Sequence, residues 1–164
     1  MKSLVLAEKP SVGQELALPV GVLVIADTPA ELAAAARRLE KAGPMVYFLG
    51  LKAFADGSLG GHTAALRRPY TDRPGLHGTH RLDPRWAGEM IRAADALGGM
   101  TAVHAIGDAA LDRVLDAMEG AIAAGVDPER LRVEHVSLAT ETDCRRLAGL
   151  GVTACIQPSF LPSD

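Results

Sequence analysis

Three titratable side chains stand inside apolar runs where such groups are costly. Lys52 lies in Val46–Ala55 (VYFLGLKAFA), His104 in Met100–Ile106 (MTAVHAI) and His135 in Leu131–Leu138 (LRVEHVSL). A buried ammonium has to be paired or made neutral. Side chains alternate along a strand, so Lys52, Phe54 and Asp56 share a face. One reading is a Lys52–Asp56 ion pair; the other is a lysine whose nitrogen is modified or neutral. A single histidine in a strand is more often a satisfied core residue. Two at equivalent positions of successive strands can converge on one point, and neutral imidazole is the commonest side-chain metal ligand. Glu134 alternates with His135 and is expected to point the other way, pairing beneath a helix.

These residues need strands to carry them. Val20–Ala26 (VGVLVIA) is a short β-branched run, read as a buried strand. Thr28-Pro29-Ala30-Glu31 is a capping box with proline at the first helical position, and the helix it opens stops at Gly43. Val46–Ala55 is the next strand. Asp83-Pro84 opens a second helix, with Met90, Ile91, Ala94 and Leu97 on one face. Met100–Ile106 is a strand, and Asp108 can cap the helix carrying Leu111, Val114, Leu115, Met118 and Ile122. Leu131–Leu138 and Val152–Ile156 are further strands, separated by a short helix starting at Thr140-Glu141-Thr142-Asp143. The order β-α-β-loop-α-β-α-β-α-β predicts an α/β fold with a parallel sheet and crossover helices. An open doubly wound sheet and part of a (β/α)8 barrel both fit. No Gly-x-Gly-x-x-Gly or P-loop follows any strand, which removes the main reason to prefer a nucleotide-binding sheet.

The stretch from Asp56 to about Leu82 is too long for a plain connection and is read as a functional loop or lid. The glycines of Asp56-Gly57-Ser58-Leu59-Gly60-Gly61 allow close backbone approach. His62 follows a glycine pair and can line a pocket entrance. His77 and His80, with Arg67, Arg68, Arg73 and Arg81, read as a solvated loop. Cys155 reads as a small core residue, and Cys144 lies on a helix away from any metal-like partner.

Composition bounds the rest. The chain has 164 residues, with 17 Lys+Arg against 20 Asp+Glu and a formal charge of −3. A weakly acidic total gives no electrostatic reason to expect nucleic acid as a partner. No apolar run approaches the roughly 18 residues that span a bilayer, so no membrane partner is expected. The apolar start Met1–Ala7 is too short for a signal peptide. Two cysteines make no disulfide framework, and a reducing, cytoplasmic compartment is the default.

The motifs together resemble one family. Lys52-Ala53-Phe54-Ala55-Asp56-Gly57-Ser58-Leu59-Gly60, followed by Thr63-Ala64-Ala65-Leu66, resembles the strand-four segment of amidohydrolase family 3, metal-dependent hydrolases of the amidohydrolase superfamily. His104-Ala105-Ile106-Gly107-Asp108 resembles its strand-five motif and Arg132-Val133-Glu134-His135 its strand-six motif. Gln157-Pro158-Ser159-Phe160 resembles the end of its strand seven. The resemblance runs from about residue 18 to 164 and implies a partial (β/α)8 TIM-type barrel of about five parallel strands, family strands three to seven. It implies one or two divalent ions, zinc by preference. By the same resemblance Lys52 is the metal-bridging lysine, carboxylated where two metals bind, and His104 and His135 bind the second metal. Asp56, Gly57 and Ser58 shape the pocket mouth, and the substrate is a small molecule with an amide-type carbon–nitrogen bond.

The family's strand-one His-x-His pair and strand-eight aspartate have no counterpart here. The catalytic set is therefore expected to be incomplete, with little or no hydrolysis by this chain alone. A second expectation is a non-catalytic half-barrel whose strand edges are buried against another copy, giving a homo-oligomer. Residues 1–17 (MKSLVLAEKPSVGQELA) look foreign to the family. They resemble the opening of the toprim domain of type IA topoisomerases, with Glu8 at the matching glutamate. That reading calls for Mg2+-dependent DNA binding and for an Asp-x-Asp motif, which the sequence lacks.

Overall fold

The computed structural model describes residues 19–158 and a short strand, β1, at Val5–Ala7. Apart from β1, the toprim-like opening, Glu8 included, lies outside the described residues, as do Ser159 and Phe160. The elements that follow are β2 (Val20–Val24), α1 (Pro29–Lys41), β3 (Val46–Phe54), α2 (Pro84–Ala96), β4 (Met100–Ala105), α3 (Asp108–Ala123), β5 (Leu131–His135), α4 (Glu141–Leu150) and β6 (Thr153–Ile156).

The sheet order is β1-β2-β3-β4-β5-β6. Strands β2 to β6 pair in parallel, each with the next in sequence. β1 is antiparallel to β2, with Val5 opposite Val24. This order separates the two architectures that the sequence leaves open. A doubly wound sheet reverses its strand order at a switch point. Here β2 to β6 advance in one direction, so right-handed crossovers place every helix on the same face. The result is an arc of a (β/α)8 barrel, helices outside and the other face open.

The helix-covered face carries Ala53, Val103, Ala105, Leu131 and Val133, which pack with Leu111, Val114, Leu115 and Met118 of α3 in one cluster. Those four α3 residues recur at helical spacing, and Leu115 and Met118 are fully buried. Each such side chain contributes about 1.5–3 kcal/mol of hydrophobic stabilisation. Val22, Val24, Leu32, Leu51 and Met90 form a second cluster under α1 and α2.

The helix starts follow their caps. Thr28 Oγ1 accepts from the Glu31 N–H, and Asp83 Oδ1 from those of Arg85 and Trp86. Thr140 and Asp143 form a reciprocal capping box, and α4 ends at Gly151 with φ 72°. Asp108 is the first residue of α3 rather than its cap, which is Gly107. β5 stops at His135 rather than Leu138, because His135 and Val136 take φ of 74° and 49°. Left-handed backbone cannot continue a strand.

The long connection after β3 holds no helix and no ladder strand, yet it is packed. Ala64 and Ala65 are fully buried, and Tyr70 is 8% exposed with its hydroxyl donating to the Ala64 carbonyl at 3.0 Å. A Cβ on Gly107 would sit 2.0 Å from the Ala65 carbonyl oxygen. Gly107→Ala is therefore expected to push the loop off the α3 N-terminus and cost about 2–3 kcal/mol. Urea unfolding reads this as a lower midpoint at unchanged slope; an unchanged midpoint would mean the loop yields freely.

Candidate functional site

The carboxyl ends of β3, β4 and β5 are organised around Asp56, which is 1% exposed. Its Oδ1 accepts from the Ile106 N–H at 3.1 Å, and its Oδ2 from the N–H groups of Ala65 at 3.0 Å and Gly107 at 2.8 Å. His104 Nε2 lies 3.3 Å from Oδ1. Burial alone would raise the Asp56 pKa. The bonds from His104, Gly107, Ala65 and Ile106 outweigh burial and hold the carboxyl below its ordinary value. Asp56 thus lies beneath the pocket mouth as the anchor of the loop. Gly57 and Ser58 continue the same knot. The Ser58 N–H donates to Thr63 Oγ1 at 2.9 Å, and a Cβ on Gly57 would come within 2.0 Å of that oxygen.

Alternation sets which side chains face the open side. Leu51, Ala53, Val103, Leu131 and Val133 lie under helices, so Lys52, Phe54, His104, Arg132 and Glu134 occupy the opposite face. The register places Phe54, His104 and Glu134 opposite one another across β3, β4 and β5. Glu134 is therefore not beneath a helix, contrary to the expectation above. It pairs on the open side with Arg132 Nε at 2.5 Å. The reason is His135. Its left-handed φ breaks the alternation and swings the ring back towards the face it would otherwise leave.

The two histidines meet. Their ring centroids are 4.6 Å apart and the rings are inclined at 69°. Each is held through one nitrogen. His104 Nε2 donates to the Gly57 carbonyl at 2.7 Å, and His135 Nδ1 donates to Gln157 Oε1 at 2.6 Å. A carbonyl oxygen only accepts, so those nitrogens carry the protons of the neutral rings. The lone pairs are then on His104 Nδ1 and His135 Nε2. Orientation of an imidazole through its other nitrogen is the usual support of a metal ligand. Phe54 packs beside His104 at 5.5 Å, and Lys52 Nζ lies 5.3 Å from the Phe54 ring centre. Lys52 and Phe54 also line a cavity of about 260 Å³ with Asp27, Arg81, Asp83 and Trp86.

Among the described residues no group of three or more His, Cys, Asp or Glu is arranged to hold a metal ion. The structure brings two imidazoles together, with Lys52 on the same face of the sheet. Two neutral imidazoles with fixed tautomers fit a divalent ion as part of a larger ligand set.

His62 lies in the wall of a separate cavity of about 920 Å³, with Tyr70, Arg68, Leu138 and Thr140. Its φ is 52°, and its Nε2 meets Asp72 Oδ2 at 2.7 Å. His77 and His80 are exposed on the loop, Cys144 is exposed on α4, and Cys155 is half-buried on β6.

Arg67, read as part of a solvated loop, is exposed as expected but is also held by ion pairs. Arg67 Nε and Nη2 grip Asp112 at 2.7 and 2.5 Å, and Nη2 and Nη1 reach Asp143 at 2.8 and 3.4 Å. Its backbone N–H donates to Asp108 Oδ1 at 2.9 Å. The signal available in the sequence was three aspartates, Asp108, Asp112 and Asp143, in the N-terminal halves of two successive helices. Hydrogen bonds to Asp112 and Asp143 raise the Arg67 pKa.

Burial pushes the Asp143 carboxyl up, but its bonds from Arg67 and Thr140 outweigh that and bring it to about 2, against an ordinary 3.8. A depressed folded pKa stabilises the fold above the unfolded value and ceases to as pH falls through the folded one. The stability gap between the protein and Asp143→Asn should therefore be constant above about pH 5 and shrink between pH 4 and 2. Denaturant titrations across that range check it, and a gap independent of pH would contradict the pairing.

The sequence profile of the amidohydrolase family matches residues 11–164. The putative amidohydrolase YtcJ of Bacillus subtilis (strain 168) is 40% identical over 128 residues, 77% of this chain and 24% of that protein. Protein LONG AFTER FAR-RED 3 of Arabidopsis thaliana is 38% identical over 120 residues, 73% of this chain and 21% of that protein. The crystal structure of an uncharacterized metal-dependent hydrolase from Pyrococcus horikoshii OT3 superposes with a TM-score of 0.73 at 34% identity, over 93% of this chain and 30% of that one. Its counterpart from Pyrococcus furiosus gives 0.67 at 39% identity, over 83% and 28%. The chain spans less than a quarter of the length of the curated relatives it matches. With the sequential parallel arc and the profile match over most of its length, the chain belongs to the amidohydrolase family.

Proposed function

We propose that this chain supplies Lys52, His104 and His135 to a divalent metal centre, zinc by preference, that hydrolyses amide-type carbon–nitrogen bonds of small, non-peptide substrates in a longer protein. The observation that carries this is the meeting of His104 and His135, each hydrogen-bonded through one ring nitrogen so that the other remains as a donor. The names of the relatives, amidohydrolase and metal-dependent hydrolase, support it.

A divalent ion bound there supplies Lewis-acid polarisation of a carbonyl and activation of water. The chain's own residues do the positioning. Gly57 and Gln157 fix the two tautomers, and Asp56 holds the Gly57 segment against β4. Lys52 acts as its carbamate, an oxygen donor in place of a cation on the open face. The setting is cytoplasmic, where the thiols of Cys144 and Cys155 stay reduced. No helix among the described residues is long and apolar enough to cross a membrane.

Zn2+ titration followed by calorimetry tests the site. The chain should bind weakly, because few ligands are gathered. His104→Asn or His135→Asn should abolish binding, and Gln157→Ala should weaken it by about tenfold or more. Hydrolysis of N-acyl amides and formamides by the chain alone should remain at background. Unaltered Zn2+ binding in both histidine variants would overturn the ligand assignment. Metal-dependent turnover by the isolated chain would overturn the incompleteness.

A further inference from the structure

Lys52, His104 and His135 sit on three successive βα units, and one side chain touches the carboxyl-end segments that follow all three. Arg67 belongs to the loop after β3. Its guanidinium binds Asp112 of α3, which follows His104, and Asp143 of α4, which follows His135. Asp143 is 3% exposed and also accepts from the Thr140 N–H and hydroxyl at 2.8 and 2.7 Å. The segment between His135 and Asp143 starts with two left-handed residues. Such backbone holds its shape only where the surroundings over-determine it. Its amides are tied inward at Val136, which donates to Ala105 O, and at Leu138, which donates to Ile106 O. Its far end is tied through the cap that Arg67 grips, beside Ala139 packed on the core. The planar fork meets Asp112 through two parallel bonds and still reaches Asp143, a fixed geometry that a lysine's single ammonium does not supply.

We infer that Arg67 is a positioning residue for His135: by clamping Asp143 to the loop after β3, it fixes the strained turn that brings the His135 ring onto His104. The clamp acts on geometry and not on charge alone, because Asp112 and Asp143 carry the same charge on the same guanidinium but only Asp143 lies beyond His135. The importance of that ring rests on the proposed metal site. The clamp itself is read out without metal, so its failure and the failure of the metal reading are distinct.

The test is made on the whole chain, metal-free, by amide hydrogen exchange and by imidazole 15N shifts. Arg67→Gln and Asp143→Asn should speed exchange at Val136 and Leu138 by about tenfold or more and turn His135 from the Nδ1–H tautomer to a mixture. Asp112→Asn should leave both readouts unchanged. Thr140→Ala, which removes the hydroxyl bonds of the cap but keeps the residue-140 N–H on Asp143 and the ion pair, should leave the tautomer unchanged. Wild-type exchange and tautomer in Asp143→Asn would overturn the inference, as would an equal effect from Asp112→Asn or Thr140→Ala. If Arg67→Gln does not fold, Asp143→Asn decides.

Discussion

A single buried carboxylate holds the carboxyl end of this sheet together. Asp56 takes N–H groups from the loop it opens, at Ala65, and from the turn after the neighbouring strand, at Ile106 and Gly107. Those donors belong to a loop and to the entry of a helix, where the backbone has no ladder partner of its own. An ionised carboxylate buried with this many donors is stable, and leaving them without it would be costly. The same bonds fix where Gly57 lies, and its carbonyl selects the His104 tautomer. Fold and candidate ligand are thus held by one group.

The second constraint is the succession of strands. Because β2 to β6 advance without reversal, each carboxyl end sits beside the next, and residues far apart in sequence become neighbours on one rim. Alternation alone would still send His135 to the helix side. Two left-handed residues undo this at the cost of backbone strain, and the turn they create is held by bonds to β4 and by the Arg67–Asp143 pair. Strain of this kind persists where neighbouring contacts over-determine it.

These two constraints explain what was legible in the sequence. Strand and helix order followed from apolar runs, caps and glycines, because those signals are local. Lys52, His104 and His135 stood out because a polar group in a β-branched run is anomalous without any partner in view. Asp56 looked like a pocket residue and Arg67 like a solvated one, since their partners lie 50 and 76 positions away, at Ile106 and Asp143. Glu134 was misplaced for a different reason. The period-two rule holds within the strand, and His135, used as the reference, is where the strand ends.

The open face of the arc bears on why the site is polar at all. Lys52, His104, Arg132 and Glu134 occupy a surface that barrel closure turns inward. There, an ion without its partner costs about 3–5 kcal/mol. Arg132 and Glu134 neutralise each other as an ion pair, but their facing atoms, Nε and Oε1, are buried without a well-formed hydrogen bond. The imidazoles are held differently: each is hydrogen-bonded through one ring nitrogen, His104 to the Gly57 carbonyl and His135 to Gln157. A face intended only to pack would carry apolar side chains at these positions, as the helix side does with Val103 and Val133. The polar residues therefore divide into a charge-neutral pair, Arg132 and Glu134, and two imidazoles in contact, His104 and His135, each held through one nitrogen.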